Sequence, residues 1–96
     1  MSQPAHYSFR LYVAGDAPHS NQAVANLQAI CREHLAERHD IEIVDVLREP
    51  KRALADSILF TPTLVKVLPA PVRKIVGALS NTQTVLNALG LPAGHL

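Results

Sequence analysis

Two short apolar runs that flank a Pro-Ala-Pro corner are the strongest constraint on the fold of this 96-residue chain. They lie within Phe60–Gly77, are rich in β-branched residues and are bounded by chain breakers, a pattern that predicts two strands. Proline fixes φ and has no backbone N–H, so we expect Pro69 and Pro71 in a turn and not inside a hydrogen-bonded ladder. The segment therefore predicts a β-hairpin that the rest of the chain must cover.

The N-terminal half has the pattern of a strand followed by a helix. Residues 9–14 alternate, with Phe9, Leu11 and Val13 on one face, which predicts the first strand. A helix is expected to begin between residues 17 and 20, at Pro18 or Ser20, and to end near residues 38–40. Its apolar stripe has helical spacing and consists of Ala23, Val24, Leu27, Ile30, Cys31 and Leu35.

A second strand and a short helix follow. The nearly continuous apolar run Ile41–Leu47 predicts an inner strand that is covered on both faces. Pro50 then opens a short helix that is expected to run from Lys51 to about residue 57, with Ala53 and Leu54 as its buried side chains. The chain next enters the hairpin.

The last helix has signals at both ends. Ser80 and Gln83 match a capping box, in which the serine caps the N–H of the glutamine. Val85, Leu86 and Leu89 form the apolar stripe, Gly90 ends the helix, and residues 91–96 are expected to be a loose tail.

The resulting order, β-α-β-α-β-β-α, is the thioredoxin topology, so we predict an α/β fold of the thioredoxin-like class. Its first two strands are expected to be parallel because a helix crosses between them. We expect one domain over residues 1–96, with an ordered core of about residues 7–90. Thioredoxin-like folds place a cis-proline at the start of the third strand, which makes Thr61–Pro62 a candidate cis peptide bond.

Composition excludes several classes of protein. No apolar run reaches the roughly 18 residues that a membrane span needs, so no membrane association is expected. The single cysteine excludes an intrachain disulfide and fits a cytoplasmic location. The two tyrosines and two phenylalanines do not alternate with basic residues as stacking platforms would, so nucleic acid is not the expected partner.

Charge is distributed unevenly along the chain. Residues 1–47 carry three basic and six acidic side chains, whereas residues 48–96 carry six basic and two acidic ones. The basic half favours an acidic partner surface, and a merely solvated face is the alternative. The six candidate partner-binding residues are Arg48, Lys51, Arg52, Lys66, Arg73 and Lys74.

Catalytic patterns are missing from the sequence. Thioredoxin-like redox enzymes need a thiolate at the start of the first helix, but residues 16–19 hold no cysteine. Cys31 falls on the apolar stripe and is expected to be buried and inert. His34 and His39 are five residues apart and do not match the i, i+4 spacing of a zinc site. We therefore expect no catalytic residues, no metal and no cofactor.

Four blocks of sequence resemble the KaiB family of bacterial clock proteins. Together they extend over residues 9–90, and the most specific is the Pro-x-Pro-Val-Arg corner between two strands. The blocks are Leu11–Gly15 with Pro18 and Ser20, Val44–Leu47 with Pro50, Ile58–Leu64, and Lys66–Gly77 with Leu79 and Ser80.

The resemblance implies a non-enzymatic protein that binds KaiC, a ring-forming ATPase and autokinase. It also implies KaiA and a sensor histidine kinase as further partners, and a homotetramer or homodimer at rest. A second fold is implied as well: a ground state that keeps the β-α-β start and rearranges the second half. Thr61, Pro62, Pro69 and Pro71 lie in the segment that would rearrange.

Other functions stay open at the level of sequence. The pathway could be a circadian clock, a simpler timer or a stress response. The alternative to a KaiB-like regulator is a thioredoxin-like protein that binds glutathione or a peptide through the backbone at Thr61–Pro62. A sensor module for a histidine kinase is a third interpretation.

Overall fold

A computed structural model describes residues 5–91 of the chain. The helices and strands follow one another in the predicted order. They are β1 (Tyr7–Val13), α1 (Pro18–His34), β2 (His39–Asp45), α2 (Pro50–Ala55), β3 (Thr63–Leu68), β4 (Arg73–Val76) and α3 (Thr82–Leu89).

The four strands form one mixed sheet in the order β2-β1-β3-β4. β1 pairs with β2 in parallel, from Tyr7 opposite His39 to Val13 opposite Asp45, as predicted for strands joined through a helix. β3 pairs with β1 and with β4 in antiparallel fashion. β1 and β3 are therefore the inner strands, and β2 and β4 are the edges.

A separate apolar cluster lies on each face of the sheet. Alternate residues of β1 point to opposite faces. Phe9, Leu11 and Val13 join the larger cluster, which α1 and α3 cover. Tyr12 points the other way and joins a smaller cluster below α2, with Val44, Ala53 and Val65. The stripes predicted for α1 and α3 are confirmed, since their members lie in or against the larger cluster.

The hairpin is confirmed. β3 and β4 pair from Thr63 opposite Val76 to Lys66 opposite Arg73, and Pro69 and Pro71 lie in the turn between them. The Thr61–Pro62 peptide bond is cis, as expected, and the bonds before Pro69 and Pro71 are cis as well.

The end predicted for the first helix was wrong by several residues. α1 stops at His34, and Glu37 takes a left-handed conformation with φ of 61°. The sheet requires this early stop, because the N–H of Tyr7 donates to the carbonyl of Arg38 and His39 already pairs in β2.

The second strand is not the inner strand that its apolar run predicted. β2 begins at His39 and ends at Asp45, and among residues 5–91 it pairs only with β1. Val44 is buried, but Ile43 is 45% exposed. Apolar composition did not distinguish an edge strand from a central one, because the strand order depends on the later hairpin.

The short helix buries only one of its two predicted side chains. Ala53 is buried as expected, whereas Leu54 is 77% exposed, so its assignment to the core was wrong. α2 also ends at Ala55, and Ser57 has a positive φ of 57°. With six residues, the helix can present only a narrow face to the sheet.

The cap of the last helix differs from the prediction by one residue. Asn81, not Ser80, is the N-cap, and its side-chain oxygen accepts from the N–H of Thr84 at 3.0 Å. Gly90 ends the helix in the left-handed conformation, as predicted. Leu91 is buried, contrary to the expected loose tail, and the rest of that tail, residues 92–96, lies outside the described residues.

The assignment of Asn81 as the N-cap of α3 can be tested by substitution. We expect Asn81→Ala to lower the free energy of unfolding by about 1 kcal/mol, because the Thr84 N–H loses its acceptor at the helix start. Ser80→Ala, the matched control one residue earlier, should change it by less than about 0.5 kcal/mol. Urea denaturation of both variants measures the difference, and an equal or larger loss in Ser80→Ala would contradict the assignment.

Candidate interaction surface

The six predicted basic residues do not form one patch. Lys66 and Arg73 are opposite each other in the β3–β4 ladder, and Lys74 is opposite Val65. Because neighbouring residues of a strand point to opposite faces, Lys66 and Arg73 lie on the α1–α3 face and Lys74 on the α2 face. Arg73 and Lys74 are exposed, whereas Lys66 is only 5% exposed.

The other three basic residues lie at α2. Arg48 and Lys51 are exposed, and Arg48 is 3.9 Å from the carboxylate of Asp45. Arg52 is already engaged within the chain: its two terminal nitrogens donate to the carboxylate of Glu42 at 2.7 and 2.8 Å. The structure thus brings Arg48, Lys51 and Arg52 together and leaves Lys74 as the basic residue of the hairpin on the same face.

Polar contacts connect α2 to the sheet across three strands. Arg10 of β1 donates to Glu42 of β2 at 3.2 Å and to Asp56, just after α2, at 2.9 Å. The hydroxyl of Tyr12 also donates to the Asp56 carboxylate, and the ammonium group of Lys74 donates to the Asp56 carbonyl. We call Arg10, Tyr12, Glu42, Arg52, Asp56 and Lys74 the polar network.

These contacts shift the pKa of both carboxyl groups. The hydrogen bonds from Arg52, with smaller help from Arg10, lower the pKa of Glu42 to about 2. The hydrogen bond from Tyr12, followed by that from Arg10, lowers the pKa of Asp56. Burial and the hydrogen bond to Asp56 raise the pKa of Tyr12. Both carboxylates are therefore charged throughout the physiological pH range.

Beside the network lies an apolar groove of about 230 Å³. Leu59 and Phe60 are 83% and 64% exposed, and with Val76 and Lys74 they form its main walls. We call this feature the Phe60 groove; its other lining residues are Ser57, Ile58 and Thr63.

The predicted turn residues fall at two ends of the hairpin. Thr61 and Pro62 connect Phe60 to Thr63 at the Phe60 groove, where the carbonyl of Pro62 accepts from the N–H of Gly77 at 2.9 Å. Pro69 and Pro71 lie at the opposite end, in the β3–β4 turn. The structure does not bring the two pairs together.

Sequence reasoning missed the apolar part of this surface. Leu59 and Phe60 lie outside the predicted strands and helices, and the apolar run Ile58–Phe60 just before Pro62 was the available signal. The partnership of Glu42 with Arg52 and of Asp56 with Arg10 had no signal in the sequence, because each pair joins residues from separate elements.

Cys31 is buried in the larger cluster, as expected. Burial raises the pKa of its thiol to about 11, which keeps it protonated and unreactive near neutral pH. Among residues 5–91, no three His, Cys, Asp or Glu side chains are grouped so as to hold a metal ion.

The arrangement has the fold of a thioredoxin-like protein. The N-terminal domain of SasA from Synechococcus elongatus superposes with a TM-score of 0.74 at 19% identity, covering 100% of this chain and 94% of that domain. Mitochondrial thioredoxin 3 from Saccharomyces cerevisiae gives a TM-score of 0.72 at 17% identity, covering 91% of this chain and 80% of its own. The predicted fold class is confirmed.

Within that class, the chain belongs to the KaiB family. The KaiB domain model matches residues 10–91. Circadian clock protein KaiB3 of Synechocystis sp. is 46% identical over 82 residues, which are 85% of this chain and 80% of the relative. The circadian clock oscillator protein KaiB of Synechococcus elongatus is 44% identical over 96 residues, covering 100% of this chain and 94% of its own length.

This assignment confirms the resemblance deduced from the four sequence blocks and does not favour the glutathione- or peptide-binding alternative. In the part of the chain that the structure describes, no helix combines the length and apolar character required to cross a bilayer.

The pKa of Glu42 provides a direct test of the polar network. Its carboxyl group should titrate near pH 2, well below its ordinary value of 4.5, in a pH series of carboxyl carbon NMR shifts. Because the folded pKa is lowered, the contribution of Glu42 to stability is present above about pH 4.5 and is lost as the pH falls toward 2.

Removing the partner should reverse this shift. We expect Arg52→Gln to raise the Glu42 pKa toward 4.5, because the two charge-assisted hydrogen bonds are lost. Arg48→Gln is the matched control, since Arg48 contacts Asp45 instead. An unchanged titration in Arg52→Gln would show that the pair does not persist in solution.

The thiol of Cys31 offers a separate check of the core. Ellman's reagent should not label the native protein within minutes, because the thiol is buried and its pKa is about 11. Labelling should become complete in denaturing guanidinium chloride. Rapid labelling of one thiol per chain without denaturant would contradict the placement of Cys31.

Proposed function

We propose that this protein is a non-enzymatic regulator that binds a KaiC-type ATPase and autokinase and acts in a bacterial clock, timer or stress-response pathway. One observation carries the proposal: the chain matches the KaiB domain from residue 10 to residue 91. The names of relatives at 44–46% identity, which are circadian clock proteins, favour the clock among the three pathways.

The geometry supports docking through the α2 face of the sheet. The Phe60 groove offers an apolar surface, and Lys74 stands at its wall. Arg48 and Lys51 are exposed at the start of α2, so an acidic and apolar partner surface would be complementary. Charged residues around an apolar centre are typical of protein interfaces, in which the rim is polar.

The six basic residues take different parts in this proposal. Arg48, Lys51 and Lys74 are exposed and are proposed to contact the partner directly. Arg73 is exposed on the opposite face of the edge strand β4 and is proposed to contact the partner around that edge. Arg52 acts by holding α2 against Glu42, and Lys66 contributes only through its small exposed fraction.

Further parts of the proposal rest on the resemblance to the family. KaiA and a sensor histidine kinase are proposed as additional partners, and a homotetramer or homodimer as the resting state. The segment that holds Thr61, Pro62, Pro69 and Pro71 is proposed to rearrange in that state. Residues 1–96 are proposed to act as one domain in the cytoplasm, where a buried free thiol such as Cys31 is compatible with reducing conditions.

Charge reversal on the hairpin tests the docking surface. We expect Arg73→Glu/Lys74→Glu to weaken binding to the N-terminal ring of KaiC at least about tenfold, because two attractive contacts become repulsive. Isothermal titration calorimetry of ring and variant measures the affinity. Circular dichroism establishes that the variant is folded.

A second double reversal controls for net charge. Arg32→Glu/Arg38→Glu changes the net charge equally but lies at the C-terminal end of α1 and just beyond it. It should retain affinity within about threefold, as expected when only long-range attraction is altered. Equal affinity of both variants would remove the hairpin residues from the interface, and absence of binding by the unmodified protein would reject the KaiC-type partner.

A further inference from the structure

The outer edge of β4 presents backbone hydrogen-bonding groups at two positions. Within residues 5–91, β4 pairs only with β3. The N–H of Gly77 donates to the carbonyl of Pro62, and hydrogen-bonded pairs alternate with non-hydrogen-bonded pairs along an antiparallel ladder. Lys74 and Val76 fall at the alternate positions of that ladder. Their N–H and carbonyl groups therefore point away from β3, toward the open edge of the sheet.

The side chains beside these groups form an exposed surface that is both apolar and basic. Lys74 and Val76 line the Phe60 groove, where Val76 is 60% and Phe60 is 64% exposed. The ammonium group of Lys74 has three donors, so it can bind a further acceptor besides the Asp56 carbonyl. Arg73 is exposed on the other face of the same strand. A chain that lies along this edge therefore meets one cation on each face.

Charge selects the kind of chain that fits this edge. The salt bridges of the described residues involve neither Arg73 nor Lys74. A second copy paired edge to edge would bring its own two cations against them, and like charges on paired strands are destabilising. An acidic segment instead places carboxylates opposite both cations. The edge therefore favours an acidic chain over self-association.

We propose that the outer edge of β4 binds an extended, acidic segment of a protein partner, which adds a strand antiparallel to β4. Against residues 72–76, the complementary pattern is apolar, apolar, acidic, acidic, apolar. Its first residue lies opposite Val76 beside the Phe60 groove, and its two carboxylates lie opposite Lys74 and Arg73. The antiparallel direction follows from the greater stability of antiparallel pairing.

The inference deepens the docking surface proposed above by naming the class of segment that it takes, and it rests on that proposal only for the identity of the partner. It also fits the rearrangement proposed for the resting state. This edge exists only where β3 and β4 are paired, so the segment binds the arrangement described here and shifts the population toward it. The apparent affinity falls by the fraction of chains that already have this arrangement.

A seven-residue peptide, acetyl-Thr-Leu-Val-Glu-Glu-Val-Thr-amide, tests the edge. It carries the complementary pattern between two threonines and is titrated into the ¹⁵N-labelled full chain. We expect saturable shifts of amide NMR signals with a Kd below about 500 µM. At saturation, the amides of Lys74 and Val76 should gain at least about tenfold protection from hydrogen exchange, because they become hydrogen-bonded to the added strand.

N-methylation of the peptide separates strand pairing from charge attraction alone. In the proposed register, the N–H groups of the leucine and the first glutamate face β4, so methyl groups there should weaken binding at least about tenfold. The matched control carries methyl groups on the next valine and the second glutamate, whose N–H groups face away. It should retain affinity within about threefold. An equal loss in both peptides would overturn strand addition.

Charge exchange tests the two side chains. Arg73→Glu/Lys74→Glu should weaken binding of the original peptide at least about tenfold. A peptide with lysines in place of its two glutamates should restore the affinity to within about threefold. Failure of this rescue in a folded variant would remove the paired charges from the proposal. If the variant does not fold, the N-methylated pair on the unmodified protein still decides the question.

The peptide result is independent of the KaiC-type ring. No spectral change up to about 2 mM peptide would overturn the proposal whatever arrangement the unbound chain has, because a segment that uses this edge must be able to select it. The KaiC-type partner would then stand or fall by the ring titration alone. Peptide binding without ring binding would support the β4 edge and reject the ring.

Discussion

Burial of β1 on both faces is the constraint on which the rest of this structure depends. β1 lies between a parallel neighbour, β2, and an antiparallel one, β3. Phe9, Leu11 and Val13 anchor the larger cluster, and Tyr12 anchors the smaller one. Because β2 runs parallel to β1, a crossover must connect the two strands, and α1 is that crossover. β3 runs antiparallel to β1, and the β3–β4 hairpin completes the sheet on that side.

The two faces are stabilised by different interactions. α1 and α3 bury apolar side chains against one face, which gives that side its dense core. On the other face, α2 and the residues after it contribute Ala53 and Ile58 to the apolar cluster, together with the polar network, which joins β1, β2, β4 and Asp56. The exposed apolar residues of the Phe60 groove lie on this less covered side.

The charge asymmetry of the sequence is partly neutralised within the fold. The acidic half places Glu42 and Asp45 on β2, and the basic half brings Arg52 and Arg48 to them. Arg10 of the acidic half pairs with Asp56 of the basic half. The excess positive charge of the second half therefore reaches solvent mainly at Arg48, Lys51, Arg73 and Lys74, since Arg52 is paired with Glu42 and Lys66 is buried.

Local sequence determined the elements and their order: alternation in residues 9–14, the stripe of α1 and the Pro-Ala-Pro corner each act over a few residues. The family blocks likewise identified the KaiB relationship. Only the tertiary structure decided that β2 is an edge, that Leu54 and Phe60 are exposed and that Glu42 holds Arg52. These features depend on contacts between residues distant along the chain, where strand order and facing direction, not composition, determine which side chains meet.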